Sequence, residues 1–348
     1  MKTIPIKKII QETPDTISLV LDVPPYSWDY KAGQHITIGV TIAGERYYRS
    51  YSFATSPYQD AQPAITIKRV KGGKVSNYLH DHIQVGSHLD CSGPQGNFTI
   101  DSQLYEKSYF CFIAGGSGIT PLFAMIKTTL QQNPKAHLQL IYANKDEFSI
   151  IYQKALAKLA QAYPAQLKIT HILSQPKQAS KAHKGRLTPG MLRTLLQNKY
   201  TSYHYFLCGP TGLMDLAKAT LIAVGVDDKH IHSESFITPT AKSSPVSLID
   251  QDQLGCDAIG TIHYQGDIYT CDIAQGETLL DAALDQGIDI PYSCSSGMCN
   301  MCRVKCIAGK VHMLEDAGLS EAEKQENYVL TCVGYPATAK VTIAIEDE

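Results

Sequence analysis

Residues 291–302 read Pro291-Tyr-Ser-Cys294-Ser-Ser-Gly297-Met-Cys299-Asn-Met-Cys302, and a further thiol follows at Cys332. A C-x4-C-x2-C run with a distant fourth cysteine is typical of four thiolates that hold a [2Fe-2S] cluster. Zinc is the alternative, but structural zinc sites usually take their thiols from C-x2-C pairs, and the x4 gap fits that pattern poorly. The spacing therefore predicts four metal ligands: Cys294, Cys299, Cys302 and Cys332.

The sequence around these cysteines predicts a small α+β domain. Short strand patterns at 261–264 and 267–273 are separated by two turn residues, which indicates a hairpin. Residues 278–287 have a helical pattern that ends at a glycine, and residues 340–345 have the pattern of a closing strand. Over residues 255–348 this order resembles the β-grasp domain of plant-type ferredoxins.

Residues 1–103 have the pattern of an antiparallel β-barrel, because short alternating segments and turn residues follow one another without a long helical pattern. On one predicted strand, Arg49 and Tyr51 share a face. A guanidinium that can hold phosphate then lies beside a ring that can stack on a flavin, and Ser52 adds a hydroxyl. Downstream, Gly72-Gly-Lys-Val-Ser-Asn-Tyr-Leu79 places glycines before a helical segment, where backbone N–H groups can face a pyrophosphate.

Residues 104–238 alternate strand and helix patterns, which predicts an α/β domain with a parallel sheet. The first strand leads into Gly115-Gly-Ser-Gly118-Ile-Thr-Pro121 and then a helix, so a glycine turn and a helix N-terminus form an anion site. The pattern is Gly-x-Gly-x-x-Pro, not the Gly-x-Gly-x-x-Gly of dehydrogenases. A later strand ends in Cys208-Gly-Pro210, and His232-Ser-Glu-Ser-Phe236 stands near the end of the domain.

In this order the patterns resemble the ferredoxin–NADP reductase superfamily. The resemblance implies that the flavin is bound by Arg49, Tyr51, Ser52 and Ser76, together with Gly73, Lys74 and Val75. It implies that the dinucleotide is approached by Gly116, Gly118, Thr120 and Pro121, that Cys208 and Gly209 lie near the nicotinamide, and that Glu234 and Phe236 close the flavin side. We expect the catalytic residues to be Ser52, Cys208 and Glu234. The Gly-Gly-x-x-Ser form looks more like the FAD-binding than the FMN-binding members.

The complete order of flavin barrel, nucleotide domain and ferredoxin domain resembles the reductase components of multicomponent oxygenases. The Pro- and Ser-rich stretch 239–254 is predicted to link the last two domains. Segments 309–313, 319–323 and 328–332 resemble the reductase subunits of phenylacetyl-CoA oxygenases (epoxidases). The resemblance implies that electrons pass from NAD(P)H through FAD to the [2Fe-2S] cluster and on to a partner oxygenase. A desaturase or another metal enzyme as acceptor is the alternative, as is a redox-sensing or zinc-binding adaptor without turnover.

The choice between NADH and NADPH is predicted to depend on Asn144-Lys-Asp-Glu147, which follows the second strand of the nucleotide domain. Lys145 can meet a 2′-phosphate, whereas Asp146 or Glu147 can bind a ribose hydroxyl. These residues are therefore compatible with either coenzyme. The resemblance to phenylacetyl-CoA oxygenase reductases favours NADPH.

Charge is distributed unevenly along the 348 residues, which carry a formal net charge of −2. Residues 255–348 hold 15 acidic and five basic side chains, a net charge of −10, whereas residues 1–254 hold 18 acidic and 26 basic side chains, a net charge of +8. An acidic ferredoxin domain can dock on a basic surface of the same chain or of an acceptor, although acidity also favours solubility. The basic residues are dispersed and no long apolar run occurs, so neither nucleic acid nor a membrane is an expected partner. With no signal-peptide pattern at the start, we expect a cytoplasmic enzyme.

Overall fold

The computed structural model describes residues 1–24, 28–100, 104, 109–179, 181–197, 200–236, 255–264, 266–288, 290–292, 297, 300–313 and 319–345. The strands are β1 Lys2–Thr13, β2 Thr16–Leu21, β3 His35–Ile42, β4 Glu45–Ser52, β5 Ala64–Lys68, β6 His88–Cys91, β7 Tyr109–Gly115, β8 His137–Asn144, β9 Leu167–Leu173, β10 His183–Lys184, β11 His204–Gly209, β12 Ile231–Ser235, β13 Ala258–Tyr264, β14 Asp267–Ile273, β15 Arg303–Ala308, β16 Val311–Met313, β17 Tyr328–Leu330, β18 Gly334–Pro336 and β19 Lys340–Ala344. The helices are α1 Lys74–His82, α2 Ile119–Gln132, α3 Gln153–Ala162, α4 Pro189–Leu196, α5 Thr211–Ala223, α6 Leu279–Asp285 and α7 Glu321–Gln325. Within the described ranges, no helix has the length and apolar composition that crossing a bilayer requires. The predicted linker at 239–254 lies outside the described residues.

The first sheet is an antiparallel barrel, as the sequence predicted. Its strand order is β4-β3-β6-β1-β2-β5, and a bridge between Phe53, directly after β4, and Ile65 of β5 joins the two ends of the sheet. Side chains that alternate inward, such as Ile36 and Ile38, are fully buried. Each contributes roughly 1.5–3 kcal/mol by leaving water. Helix α1 contacts β3, β4 and β5, so the two predicted flavin motifs lie on the same part of the barrel.

The second sheet is parallel and has helices on both faces, as predicted. Its strand order is β10-β9-β8-β7-β11-β12. Along β7, Phe110 and Phe112 pack with residues of α2 and α3, whereas Cys111 and Ile113 pack with residues of α4 and α5. The winding direction reverses between β7 and β11. The carboxyl ends of these two strands therefore border the kind of crevice in which open α/β sheets bind nucleotides.

The third sheet has the predicted α+β arrangement. Its strand order is β14-β13-β19-β15-β17, and β16 pairs separately with β18. Strands β13 and β14 form the predicted hairpin, with Ala258 opposite Ile273 at its open end. Helix α6 begins after Thr278, whose hydroxyl accepts the N–H of Asp281 at 3.1 Å. This cap begins the helix one residue after the predicted start, and the apolar side chains of the helix pack in the core of this sheet.

Candidate functional site

Strand β4 carries the residues that are predicted to face a flavin ring. Arg49 lies opposite Ile38 and Tyr51 lies opposite Ile36, so both belong to the same face of the strand. Both side chains are half-buried, and the Arg49 guanidinium donates to the carbonyl of Tyr48 at 2.6 Å. This arrangement suits a diphosphate beside a flat ring system, because a cation and an aromatic ring lie side by side.

Helix α1 begins at the second predicted flavin motif. Gly73 is its N-cap residue and makes no side-chain capping bond. Val75 and Ser76 are buried, and the Ser76 hydroxyl accepts the N–H of Val70 at 3.1 Å. The turn is therefore held in place by its own first helical residues, and the start of the helix offers N–H groups to an anion.

The side chain of Lys74 is held against β4. Its ammonium contacts the Tyr47 hydroxyl and lies 3.5 Å from the Glu45 carboxylate. The hydrogen bond with Tyr47 is the largest cause that raises the pKa of the Lys74 ammonium. The Lys74 ammonium is thus engaged by β4. The backbone N–H of Lys74, at the start of the helix, is better suited to the predicted contact with a cofactor.

The glycine turn between β7 and α2 packs against the end of β11. A Cβ atom on Gly118 would lie 2.2 Å from the carbonyl oxygen of Cys208 and 2.6 Å from the amide nitrogen of Gly209. Only glycine fits there, because any side chain would collide with the backbone of the neighbouring strand. The Tyr142 hydroxyl donates to the Gly116 carbonyl at 2.9 Å, which fixes the orientation of the turn.

Thr120 and Pro121 lie in the first turn of α2, and both are buried. The Thr120 hydroxyl donates to the carbonyl of Ser117 at 2.9 Å. Proline is compatible with this position because the first N–H groups of a helix have no partner within the helix. The predicted dinucleotide residues therefore form one continuous turn at a helix start, at the switch point of the parallel sheet.

The predicted catalytic residues meet where the barrel adjoins the parallel sheet. The Ser52 hydroxyl donates to Glu234 Oε2 at 3.5 Å, and Glu234 lies opposite Cys208 in the register of β11 and β12. All three residues are buried. Burial raises the pKa of the Cys208 thiol, and the charge of Glu234 raises it further. Cys208 is therefore a neutral thiol at pH 7, beside a carboxylate that accepts a hydrogen bond from the barrel.

His35 also belongs to this group, although no sequence pattern points to it. Its Nδ1 atom lies 4.0 Å from Glu234 Oε1, and its side chain is 5% exposed. His35 is opposite Ser52 in the register of β3 and β4. Nothing in the local sequence distinguishes it from the other histidines of the chain, so only the strand pairing reveals it.

The two remaining nucleotide-side residues have different surroundings. Gly209 ends β11 opposite Ser235, and its backbone lies against Gly115. Phe236 follows β12 and its side chain is 42% exposed. The structure thus brings Gly209 into the crevice. The role of Phe236 at the flavin stays a prediction.

Two of the four predicted metal ligands converge in the C-terminal sheet. Cys302 directly precedes β15 and Cys332 lies just beyond β17, and the pairing of these strands brings the two Sγ atoms to 3.2 Å. Both thiols are buried, and the N–H of Gly297 donates to Cys332 Sγ at 3.3 Å. Two buried thiols with an N–H donor fit a metal–sulfur centre. Cys294 and Cys299 lie outside the described residues.

Family models match each of the three regions. An oxidoreductase FAD-binding domain matches residues 3–100, an oxidoreductase NAD-binding domain matches residues 112–219, and a 2Fe-2S iron-sulfur cluster binding domain matches residues 262–337. One of the subunits of 1,2-phenylacetyl-CoA epoxidase from Escherichia coli (strain K12) is 35% identical over 345 residues, which cover 97% of this chain and 96% of that protein. The chain belongs to the family of oxygenase reductase components. The reductase is an oxidoreductase with FAD-binding, NAD-binding and [2Fe-2S] domains.

A second relative and a solved structure agree with this assignment. The ferredoxin reductase component of 3-ketosteroid-9-alpha-monooxygenase from Rhodococcus rhodochrous is 33% identical, over 97% of the reductase and 95% of that protein. The structure of phthalate dioxygenase reductase, described as a modular structure for electron transfer from pyridine nucleotides to [2Fe-2S], superposes with a TM-score of 0.61. It is 21% identical and covers 99% of the reductase and 98% of its own chain, so it confirms the fold.

Proposed function

We propose that this reductase accepts hydride from NADPH at FAD and passes single electrons through its [2Fe-2S] cluster to a terminal oxygenase of the phenylacetyl-CoA epoxidase type. The observation that carries the proposal is the meeting of Ser52 of the barrel with Glu234, which lies opposite Cys208 in the parallel sheet. FAD, when bound, takes up two electrons together, as a hydride donor requires. It releases them one at a time, as a one-electron cluster requires.

The barrel residues hold and orient the flavin in this proposal. Arg49 and the start of α1 bind its diphosphate through a guanidinium and backbone N–H groups. Tyr51 covers the ring, and the Ser52 hydroxyl, which already donates to Glu234, faces the reacting edge. Gly73 and Ser76 maintain the turn that presents the N–H groups. These residues exclude water and set the geometry, since hydride transfer itself requires no protein acid or base.

The parallel sheet supplies the other half of the site. The turn from Gly116 to Pro121 binds the diphosphate of the dinucleotide at the start of α2. Cys208 and Gly209 pack against the nicotinamide, because they end the strand that borders this turn. A neutral thiol is suited to this contact, since it fills space without adding charge.

NADPH is favoured by the hydrogen bonds of the two carboxylates after β8. Asp146 is buried, accepts the N–H of Ser149 at 3.1 Å and pairs with Lys177 at 3.2 Å. Glu147 accepts the N–H of Lys177 at 3.0 Å. Both carboxylates are therefore engaged by protein groups, Asp146 in its own loop and both of them with the segment that follows β9. Lys145 is exposed and can pair with a 2′-phosphate.

An oxygenase acceptor is supported by the relatives. They are components of oxygenases, and the match extends over 96% and 95% of their length. The cluster ligands in this proposal are Cys294, Cys299, Cys302 and Cys332. The proposed domains span residues 1–103, 104–238 and 255–348, and the stretch 239–254 links the last two. The net charge of −10 on the last domain supports docking on a basic surface. A cytoplasmic location is part of the same proposal, and it is supported by the eight described cysteines, none of which forms a disulfide.

Anaerobic titration of the purified protein tests the electron path. NADPH should bleach both flavin and iron–sulfur absorption, and should do so more efficiently than NADH. A Cys302→Ser variant should keep the flavin response and lose the iron–sulfur response, because one thiolate ligand is removed. The matched control is Cys306→Ser, on β15, the strand that Cys302 directly precedes, but outside the predicted ligand set. A colourless preparation that contains zinc would contradict the function, and a preference for NADH would contradict the coenzyme.

A further inference from the structure

Helix α2 contains a buried lysine that the proposed function does not use. The Lys127 side chain is 10% exposed, on a helix whose residues from Ile119 to Leu130 are all buried. Its Nζ atom lies 2.5 Å from Asp60 Oδ2 and 4.7 Å from the centre of the Phe123 ring. Burial lowers the pKa of the Lys127 ammonium, and the Asp60 carboxylate opposes that effect. A buried charge lowers the stability of a fold unless it is paired. The protonated ammonium of Lys127 therefore requires its contact with Asp60.

The partner carboxylate comes from the barrel, in a loop between β4 and β5 (residues 56–60, the docking loop). Asp60 Oδ2 also accepts the N–H of Ser56 at 2.7 Å, which closes the loop on itself. The Thr128 hydroxyl donates to Ser56 Oγ at 2.8 Å, and the Gln131 amide donates to a carbonyl of the loop at 3.3 Å. Lys127, Thr128 and Gln131 thus join the docking loop to one stretch of α2.

A second contact secures the same helix to the barrel. The Tyr152 hydroxyl donates to Thr66 Oγ1 at 2.5 Å, and Thr66 lies on β5, the strand that follows the docking loop. The Tyr152 ring stacks on Phe123 of α2 with their centres 4.5 Å apart. Phe123 of α2 therefore contacts both the Lys127 ammonium and Tyr152, and Tyr152 is in turn hydrogen-bonded to the barrel.

The position of these contacts gives them a consequence for catalysis. Helix α2 starts at the glycine turn proposed to bind the dinucleotide, and the docking loop starts four residues after Ser52. We propose that Lys127 and Asp60 are positioning residues for hydride transfer: by joining α2 to the docking loop, they hold the dinucleotide-binding turn at a set distance from the flavin-binding strand. The inference rests on the proposed function. Hydride moves only when donor and acceptor atoms are about 3–3.5 Å apart, so a small shift of α2 lowers the rate of hydride transfer.

Lys127→Met is the direct test, because methionine keeps an unbranched side chain of nearly the same length and removes the ammonium. In stopped-flow reduction of the holoenzyme by NADPH, we expect the flavin reduction rate constant to fall about 10- to 100-fold. The NADPH dissociation constant should change little, since the glycine turn itself is intact. With NADPH deuterated at C4, the isotope effect should become more dependent on temperature, as a less well-held donor samples longer distances. Lys127→Arg should restore most of the rate.

The matched control is Lys7→Met, which removes the same side chain from an exposed pair within the barrel, 3.1 Å from Asp22. It should leave the rate and the isotope effect unchanged. Hydrogen exchange gives a second readout that does not depend on turnover. In Lys127→Met, amides of the docking loop and of residues 125–131 should exchange faster than in the control.

A milder variant keeps the inference testable if Lys127→Met fails to retain its flavin. Thr128→Val removes the hydrogen bond to Ser56 and preserves shape, and it should lower the rate constant in the same direction. The inference is overturned if the folded variants reduce their flavin at the wild-type rate with an unchanged isotope effect, even when their thermal stability falls. Failure of the proposed function looks different, because neither NADPH nor NADH would then reduce the wild-type flavin.

Discussion

The reductase has two glycine-rich turns, one before α1 and one before α2. They share a local pattern, but α1 is only partly buried and α2 is mostly buried. Along α1, only Val75, Ser76 and Leu79 are buried, whereas α2 is buried over twelve consecutive residues. A Cβ atom on Gly72 would meet no atom within 4 Å, but one on Gly118 would lie 2.2 Å from a backbone carbonyl. The first glycine serves the left-handed backbone conformation of an open turn, with φ of +75°, and the second serves the packing of its turn against the end of β11.

The two helices are also anchored differently. Arg69 holds α1 through hydrogen bonds to Asp81, at 2.6 Å and 3.2 Å, and to Asn77 at 3.1 Å. These contacts are exposed or half-exposed, whereas α2 is held by the buried hydrogen bond between Thr128 and Ser56, by the largely buried pair of Lys127 and Asp60, and by apolar packing. Exposed charge pairs contribute little and are screened by salt. The flavin turn should therefore open before the nucleotide turn does.

Gly118→Ala should have the largest effect, because the added Cβ collides with backbone that cannot move aside as a side chain would. We expect a loss of about 3 kcal/mol in the free energy of unfolding. The protein should also lose its response to NADPH while the barrel still binds FAD. Thermal unfolding and NADPH titration measure both effects. The control is Gly190→Ala in α4, where an added Cβ meets no atom within 4 Å. Equal stability of the two variants would refute the packing argument.

Gly72→Ala should have a smaller effect. The space around it is open, so the cost is that of a left-handed conformation in a residue with a side chain, about 1–2 kcal/mol. Because the turn precedes α1, the affinity for FAD should fall while the response to NADPH in the remaining holoenzyme persists. Measurement of FAD dissociation and thermal unfolding tests this. A cost above that of Gly118→Ala would reverse the ranking of the two turns.

Asp81→Asn should have the smallest effect, and it concerns pH. Hydrogen bonds from Arg69 hold the pKa of the Asp81 carboxyl below its ordinary value of 3.8. A group with a lowered pKa stabilises the fold above its ordinary pKa, and that contribution is lost as the pH falls through the folded value. FAD release, followed by flavin fluorescence, should thus increase below about pH 4 in the wild type. Asp81→Asn should show part of that release already at pH 7. Identical pH profiles of the two proteins would contradict this.

Much of the fold could be predicted because its signals are local. The hairpin of β13 and β14, the glycine end of β7 and the thiol spacing from Cys294 to Cys302 each lie within a short stretch of chain. The residues of each such pattern are close in sequence, so they are also close in space once the local strand, turn or loop forms. The glycine turn was predicted as an anion site, but the contact of Gly118 with Cys208 was not.

Other features of the site had no local signal. His35 lies beside Glu234 because β3 pairs with β4 and the barrel meets the parallel sheet. Lys127 looks like a surface residue of a helix until the docking loop covers it with Asp60. The sequence left Asp146 or Glu147 as ribose ligands, and only the structure shows that Asp146 is buried as the cap of its own loop and paired with Lys177.

The sequence by itself determined the chemistry of this protein, since four thiols at set intervals and two glycine turns before helices define which cofactors the chain can hold. The tertiary structure alone decided how those cofactor sites are joined. Ser52 meets Glu234, and Lys127 meets Asp60, across long stretches of chain that the folding of the barrel against the parallel sheet brings together. Such contacts depend on the packing of whole domains, which no short stretch of sequence encodes.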